Sequence, residues 1–364
     1  MNVLVLGAAG DMGSRAAKEL LSMDSVKSVT ILDKNIDLAK SLFADHPKAT
    51  IKHVDVRDHE SLVAVMKGHD VVASAVGPFY LFEPITVRAA IDAKVHYVSI
   101  CDDHDACSKV LALDHEAREN GISVVTGAGW TPGITNAAVR YAADLLGDLE
   151  EVHIAWGGSA GDSKGYAVIL HTIHIFTGMV PSVIRGTLTQ VPAGSEGEWV
   201  EFPVPLGRVQ VFNVGHPEPL TVSKYLPNVK RVTLKGGLVE GYLTALARFL
   251  PRIGLTNTPG KKAALGNFFH AILPALEKFS DKSCNMSGFL VRVRAVSGAR
   301  VTLAGVGHMA DLTGIPLAIV AEMVGNGTIK RKGVFAPEAQ DGVPASRFFD
   351  ELGKRGIRLF VSEY

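Results

Sequence analysis

The sequence predicts an α/β protein: a doubly wound parallel sheet of the Rossmann type, followed by a second, mostly antiparallel α+β part. Three observations predict it. From residue 2 to about 126, short apolar β-branched runs alternate with amphipathic helical stretches. Glycines cluster directly after the first run. From about residue 151 the pattern changes to alternating, strand-like segments separated by glycines and prolines.

In the first part the spacing predicts strands at 2–6, 28–32, 50–54, 70–75, 96–100 and 122–126. Helices are expected near 11–22, 36–44, 59–67, 83–92 and 107–119. Residues 132–146 read as a helix with Pro132 in its first turn. Strands are then expected at 151–156, 198–203, 208–212, 230–234, 288–297 and 300–307. An apolar helix from Asp311, a helix at 345–355 and a last strand at 357–361 close the chain.

Composition narrows the function. The 364 residues are enough for about two domains. Lys+Arg and Asp+Glu are 37 each, which argues against a nucleic-acid binder relying on global charge. Cys101, Cys107 and Cys284 show neither a disulfide framework nor zinc spacing and are expected to be free thiols in a reducing compartment. The first residues read as a strand rather than a signal peptide, and no run of about 18 apolar residues predicts a spanning helix. A cytoplasmic protein is expected.

The turn Gly7-Ala8-Ala9-Gly10-Asp11-Met12-Gly13 stands where a dinucleotide fingerprint belongs, between a strand and a helix. Gly7 permits the turn, Gly10 admits a pyrophosphate, and Gly13 lets helix and sheet approach. Ala9, Asp11 and Met12 share the cradle, and the helix N-terminus favours phosphate. Asp33 lies 20 residues after Gly13, where an acid meets the adenosine ribose, so NAD is expected. Lys34 beside it leaves NADP open. Asp55 and Val56 are placed at the adenine. Ala75, Val76, Gly77 and Pro78 are placed at the nicotinamide half, with Phe79 and Tyr80 as walls. Cys101, Asp102 and Asp103 end the fifth strand at the sheet's ligand-binding edge.

Four places in the chain resemble the saccharopine dehydrogenase-like family of NAD(P)-dependent oxidoreductases. They are the glycine turn, Gly77-Pro78 with the aromatics that follow, the segment Gly127-Ala-Gly129-Trp130-Thr131-Pro132-Gly133, and the tail with Gly333-Val-Phe-Ala-Pro-Glu338. The sequence departs from the family at two points. Thr131 stands where many members have Asp, and Phe79 where saccharopine-forming reductases have Tyr. The resemblance implies hydride transfer at a carbon–nitrogen bond of an amino acid, opine or imine. It implies a Rossmann domain (1–130 and 305–364) interrupted by a substrate and dimerisation domain (131–304), with C-terminal helices returning to the first. A homodimer acting on a small molecule is expected. Asp102, Asp103, His171 and Tyr80 are the catalytic candidates; Phe79, Trp130, Thr131, Pro132, Gly133 and His174 are candidates for substrate contact.

His171 and His174 share a helix face, but no third ligand is nearby and no metal is assigned. Residues 222–276 carry eight Lys or Arg and one acid among many apolar residues. That stretch is expected to be a dimer face or core, with contact to an anionic membrane surface as an alternative. Two other readings of function remain open: a reductase of a carbonyl or lipid-like substrate, and a non-catalytic NAD(P) sensor.

Overall fold

The computed structural model describes residues 1–162, 165–276 and 285–363. Cys284 lies outside them; Cys101 and Cys107 are buried free thiols. The chain divides into two compact units, Met1–Ala137 with Ala310–Arg355, and Ala138–Met309 with Gly356–Tyr364.

The first unit alternates strand and helix. Its elements are β1 (Asn2–Leu6), α1 (Asp11–Ser22), β2 (Ser28–Leu32), α2 (Ile36–Phe43), β3 (Ala49–Lys52), α3 (His59–Met66), β4 (Val71–Ser74), α4 (Phe79–Ala93), β5 (His96–Ser99), α5 (His104–Leu111), α6 (Asp114–Glu119) and β6 (Ser123–Val125). The helix α7 (Ile134–Leu146) then runs across the boundary between the units.

The second unit carries β7 (Leu149–Gly158), α8 (Tyr166–Ile175), β8 (Met179–Ile184), β9 (Thr187–Pro192), β10 (Glu198–Phe202), β11 (Gly207–Asn213), α9 (Glu218–Tyr225), β12 (Arg231–Leu238), α10 (Gly241–Arg252), α11 (Pro259–Leu276), β13 (Ser287–Ala295) and β14 (Arg300–Gly307). The chain returns to the first unit through α12 (Met309–Gly325), β15 (Gly333–Phe335) and α13 (Ala345–Lys354), and ends with β16 (Phe360–Glu363).

The first sheet is parallel, in the order β15-β6-β5-β4-β1-β2-β3. The order reverses beside β1, so the crevice at the carboxyl ends of β1 and β4 is where such sheets take a ligand. Helices on both faces require strands that are apolar throughout, and Val3, Leu4, Val5 and Leu6 are fully buried. Asn35 and Asp58 cap α2 and α3 with side-chain oxygens. Leu62, Met66, Val87, Ile91 and Tyr97 pack in one core. Truncating Leu62 there to Ala costs about 2–5 kcal/mol.

Three expectations are corrected. The helix expected at 83–92 starts at Phe79, directly after its N-cap Pro78. The one expected over 107–119 is two helices, broken at Ala112-Leu113. The tail also contributes an unforeseen seventh strand, β15, parallel to β6.

In the second unit β12 and β7 pair in parallel, whereas β13, β14 and β16 add antiparallel. Beyond β12 lie β11 and β10, and β8 with its hairpin partner β9 also joins β12. The expected boundaries differ from those observed at the tail. There β16, with every side chain exposed, pairs through its backbone with the free edge of β14. The last residues therefore belong to the second unit, although they were expected in the first.

Candidate active site

The glycine turn is built from backbone geometry. Gly7 sits at φ +75° and its N–H donates to the Leu32 carbonyl at 2.9 Å, which fixes the turn against β2. A Cβ on Gly13 would stand 2.1 Å from the Gly7 oxygen, so only glycine allows α1 to start this close to β1. Gly10 differs: a Cβ there would meet nothing nearer than 3.5 Å. Packing does not demand glycine at position 10; the open space above an exposed helix N-terminus suits an entering phosphate. The residues present thus fit a dinucleotide.

Asp33 joins this turn from β2. One of its oxygens accepts from Ala9 N at 2.8 Å and the other from Asn35 N at 2.8 Å. The carboxylate is thereby locked beside the loop, with lone pairs left for ribose hydroxyls. Lys34 is exposed. Asp55 is exposed and chelated by the Arg57 guanidinium, which holds its carboxyl down at about 2. Val56 packs on the core margin.

At the next edge, β4 runs through half-buried Ala75, Val76 and Gly77 into Pro78. Asp103 is fully buried, and its Oδ2 accepts from Tyr80 N at 2.9 Å. It stands at the N-cap of α5, and its carboxylate ties the start of α4 to the β5–α5 turn. Asp102 and Tyr80 are half-buried, while Phe79 is buried. Cys101 is also buried, and desolvation pushes its thiol well up, so it is no thiolate nucleophile.

One turn into α4 lies Glu83, which the sequence reading did not single out. It is fully buried and accepts from the hydroxyls of Ser99 and Tyr97, the latter at 2.9 Å. Burial pushes this carboxyl up to about 7, against the pull of the two hydroxyls. The group lies directly behind the strand that ends in Asp102 and Asp103.

The segment Trp130–Gly133 is buried rather than open. Gly133 N donates to Asn136 Oδ1 at 2.9 Å, and Asn136 Nδ2 donates to Glu338 Oε2 at 2.8 Å. Two of the four segments that carry the family resemblance, Trp-Thr-Pro-Gly and Ala-Pro-Glu, are therefore one interlocked corner of the first unit.

In the second unit, His171 on α8 meets His216, Nε2 to Nε2, at 3.3 Å with rings edge-to-face. His216 Nδ1 faces Glu218 Oε2 at 3.7 Å, and the Trp156 ring lies 5.8 Å from the His216 ring. Both His216 and Glu218 are buried. His174 goes elsewhere and accepts from Lys262 Nζ at 2.8 Å. The two histidines expected on one face thus serve different partners. His308, the turn histidine before α12, binds Asp162 at 3.0 Å.

Family comparison assigns the two halves. Residues 3–125 match the saccharopine dehydrogenase NADP-binding domain, and residues 130–357 match the saccharopine dehydrogenase C-terminal domain. The chain belongs to the saccharopine dehydrogenase family. The NAD(P)-dependent oxidoreductases of this family act at carbon–nitrogen bonds of amino-acid and polyamine substrates.

Among curated relatives, the L-glutamate-forming, NADP(+) saccharopine dehydrogenase of Pyricularia oryzae is 31% identical over 156 residues. That match covers 43% of this chain and 32% of the relative, so the chain spans about a third of its length. Carboxyaminopropylagmatine dehydrogenase of Synechocystis is 22% identical over 98% of this chain and 96% of its own. Carboxynorspermidine synthase of Vibrio cholerae is 25% identical over 67% of this chain and 64% of its own. The fold matches an apo saccharopine dehydrogenase from Saccharomyces cerevisiae with a TM-score of 0.72, at 18% identity, over 100% of this chain and 99% of that one.

Within this family frame the glycine turn, Asp33 and the ends of β4 and β5 gather in the first unit. His171 with His216, and His174 with Lys262, lie in the second. Sequence reasoning missed Glu83, His216 and Glu218. Glu83 left a signal, as an acid among the apolar residues of the first turns of α4.

Proposed function

We propose that this chain catalyses hydride transfer, with NAD preferred, at the carbon–nitrogen bond of an N-carboxyalkyl derivative of a diamine or guanidino amine. The observation that carries this reading is the likeness to carboxyaminopropylagmatine dehydrogenase over nearly the whole of both chains. Saccharopine fits less well, because the more identical saccharopine relative aligns with under half of this chain.

A nicotinamide dinucleotide held by the Gly7–Gly13 turn and Asp33 would supply the hydride acceptor. The residues of the chain manage the proton. Asp102, half-buried at the end of β5, is the proposed acceptor of the amine proton and the group that then activates water on the imine. Water adds, the carbon–nitrogen bond breaks, and amine and oxo acid leave. Asp103 is the positioning partner, because its carboxylate is engaged by Tyr80 N. His171 with His216 and Glu218 offers imidazole and carboxylate acceptors to the ammonium end of the substrate. Tyr80 is the proposed wall of the nicotinamide pocket.

NAD is preferred because Asp33 would face a 2′-phosphate with like charge. The working form is proposed to be a cytoplasmic homodimer; the free thiols Cys101 and Cys107 suit a reducing compartment.

The test is a cofactor-resolved activity screen. Carboxyalkyl derivatives of agmatine and diamines, saccharopine and lysine are each assayed with NAD⁺ and NADP⁺. Turnover of a carboxyalkyl amine with NAD⁺ is expected, and Asp102→Asn should lower it roughly 10²–10⁴-fold with nucleotide affinity retained. Full activity in Asp102→Asn would remove that residue from the chemistry.

A further inference from the structure

We propose that α10 is a docking surface for an anionic lipid bilayer, an inference independent of the hydride chemistry. Tyr242, Phe249 and the C-cap Ile253 are each 52% exposed. They stand seven and four residues apart, and 100° per residue places all three within about 40° of one line along the helix. Thr244 and Leu250 turn inward instead, and Thr244 Oγ1 receives Leu238 N at 2.8 Å. The outer stripe is therefore apolar, aromatic and unused by the fold of this unit. Leu255, at 39% exposed, extends it past the helix end.

Charge identifies the occupant. Residues 241–272 contain Arg248, Arg252, Lys261 and Lys262 and no acid, in a chain whose net charge is zero. The acid before them, Glu240, is buried and accepts from Ser159 Oγ and Ala160 N, both at 2.9 Å. Arg248 is committed inward, with Nε on the Gly194 carbonyl at 2.8 Å and its guanidinium 3.7 Å from the Phe212 ring centre. Arg252 and Lys261 remain exposed. Lys261 Nζ donates to the Gly254 carbonyl at 2.8 Å, which holds its ammonium at the end of α10 beside Ile253. The surface thus pairs an aromatic stripe with cations at one end, the pattern of a helix lying in a lipid interface.

A second copy is the poorer occupant, because a two-fold interface brings the same patch against itself and sets like charges together. Among the described residues no helix is long and apolar enough to cross a membrane, so the contact would be interfacial.

The experiment is co-sedimentation of the full chain with vesicles of phosphatidylcholine alone and of phosphatidylcholine with phosphatidylglycerol. Partition into the anionic vesicles only, weakened by salt, is expected. The double variant Phe249→Asp/Ile253→Asp should lower it at least about tenfold, at unchanged melting temperature and nucleotide affinity. If that variant fails to fold, Arg252→Glu/Lys261→Glu takes its place, with a loss of roughly tenfold or more. No partition by the natural chain, or undiminished partition by a folded variant, would overturn the proposal. So would a variant that turns a dimer into a monomer, because the stripe would then belong to a second copy.

Discussion

The glycine turn of the first unit and the His171–His216–Glu218 line of the second are built in opposite ways. The turn uses seven consecutive residues whose side chains contribute almost nothing; its work is done by a φ of +75° and a backbone approach that leaves no room for a Cβ at Gly13. The histidine line uses side chains alone, and His171 and His216 are 45 positions apart. A backbone site fails when one atom is added, whereas a side-chain site fails when its partner is removed. Substitutions can therefore break either site and leave the other standing.

The largest effect is expected at Gly13. In Gly13→Val the new side chain has no space beside the Gly7 carbonyl. Nucleotide binding measured by calorimetry should disappear, with about 1–3 kcal/mol of stability lost. Retained affinity would show that the close approach is dispensable.

Glu83 comes next, as a buried carboxyl behind the same ligand edge. Its folded-state value of about 7 lies above the ordinary 4.5. The folded protein therefore holds a proton that the unfolded chain releases between those values. Its stabilising contribution is complete below about pH 4.5 and is lost as pH rises to about 7, by roughly 3 kcal/mol. Urea unfolding from pH 4.5 to 8 should show a decline in the natural protein that Glu83→Gln lacks. Parallel curves for the two proteins would contradict the assignment.

In the second unit, His216→Ala leaves the buried Glu218 carboxylate and His171 without the imidazole between them. A loss of about 1–3 kcal/mol is expected, together with a raised KM for the amine substrate. Nucleotide affinity should not move; a parallel loss of it would mean that the two regions are not separable in this way.

The smallest change sharpens the first region. Asp33→Ser removes the carboxylate beside the loop while keeping a hydroxyl near Ala9 N. The ratio of NAD⁺ to NADP⁺ affinity should fall about tenfold, equivalent to about 1.4 kcal/mol. An unchanged ratio would shift the specificity to Lys34 or Arg57.

What the sequence revealed follows the same contrast. The glycine turn and Asp33 were legible because adjacent residues set their geometry, and so were β1, β2, β4 and β6, because burial on both faces leaves them mostly apolar, whereas the edge strand β3 alternates half-buried and exposed residues. Pairings between distant segments were not. The exposed residues of β16 carry no pattern that names β14 as partner. His216 is 45 positions from His171 in sequence, and only the fold brings it to α8. Trp130 to Gly133 pointed to the family correctly, yet the burial of this corner and its Asn136–Glu338 lock give it a packing role. Family likeness located the segment without revealing what its side chains do.

The most direct test follows the hydride itself. The enzyme is given a diamine or agmatine, a short 2-oxo acid or oxo-carboxylate, and NADH deuterated at C4 of the nicotinamide, and the products are read by mass spectrometry. The account predicts a carboxyalkyl amine with one deuterium on the carbon joined to nitrogen. Deuterium found instead on the hydroxyl-bearing carbon of a reduced oxo acid would contradict it and make the protein a carbonyl reductase.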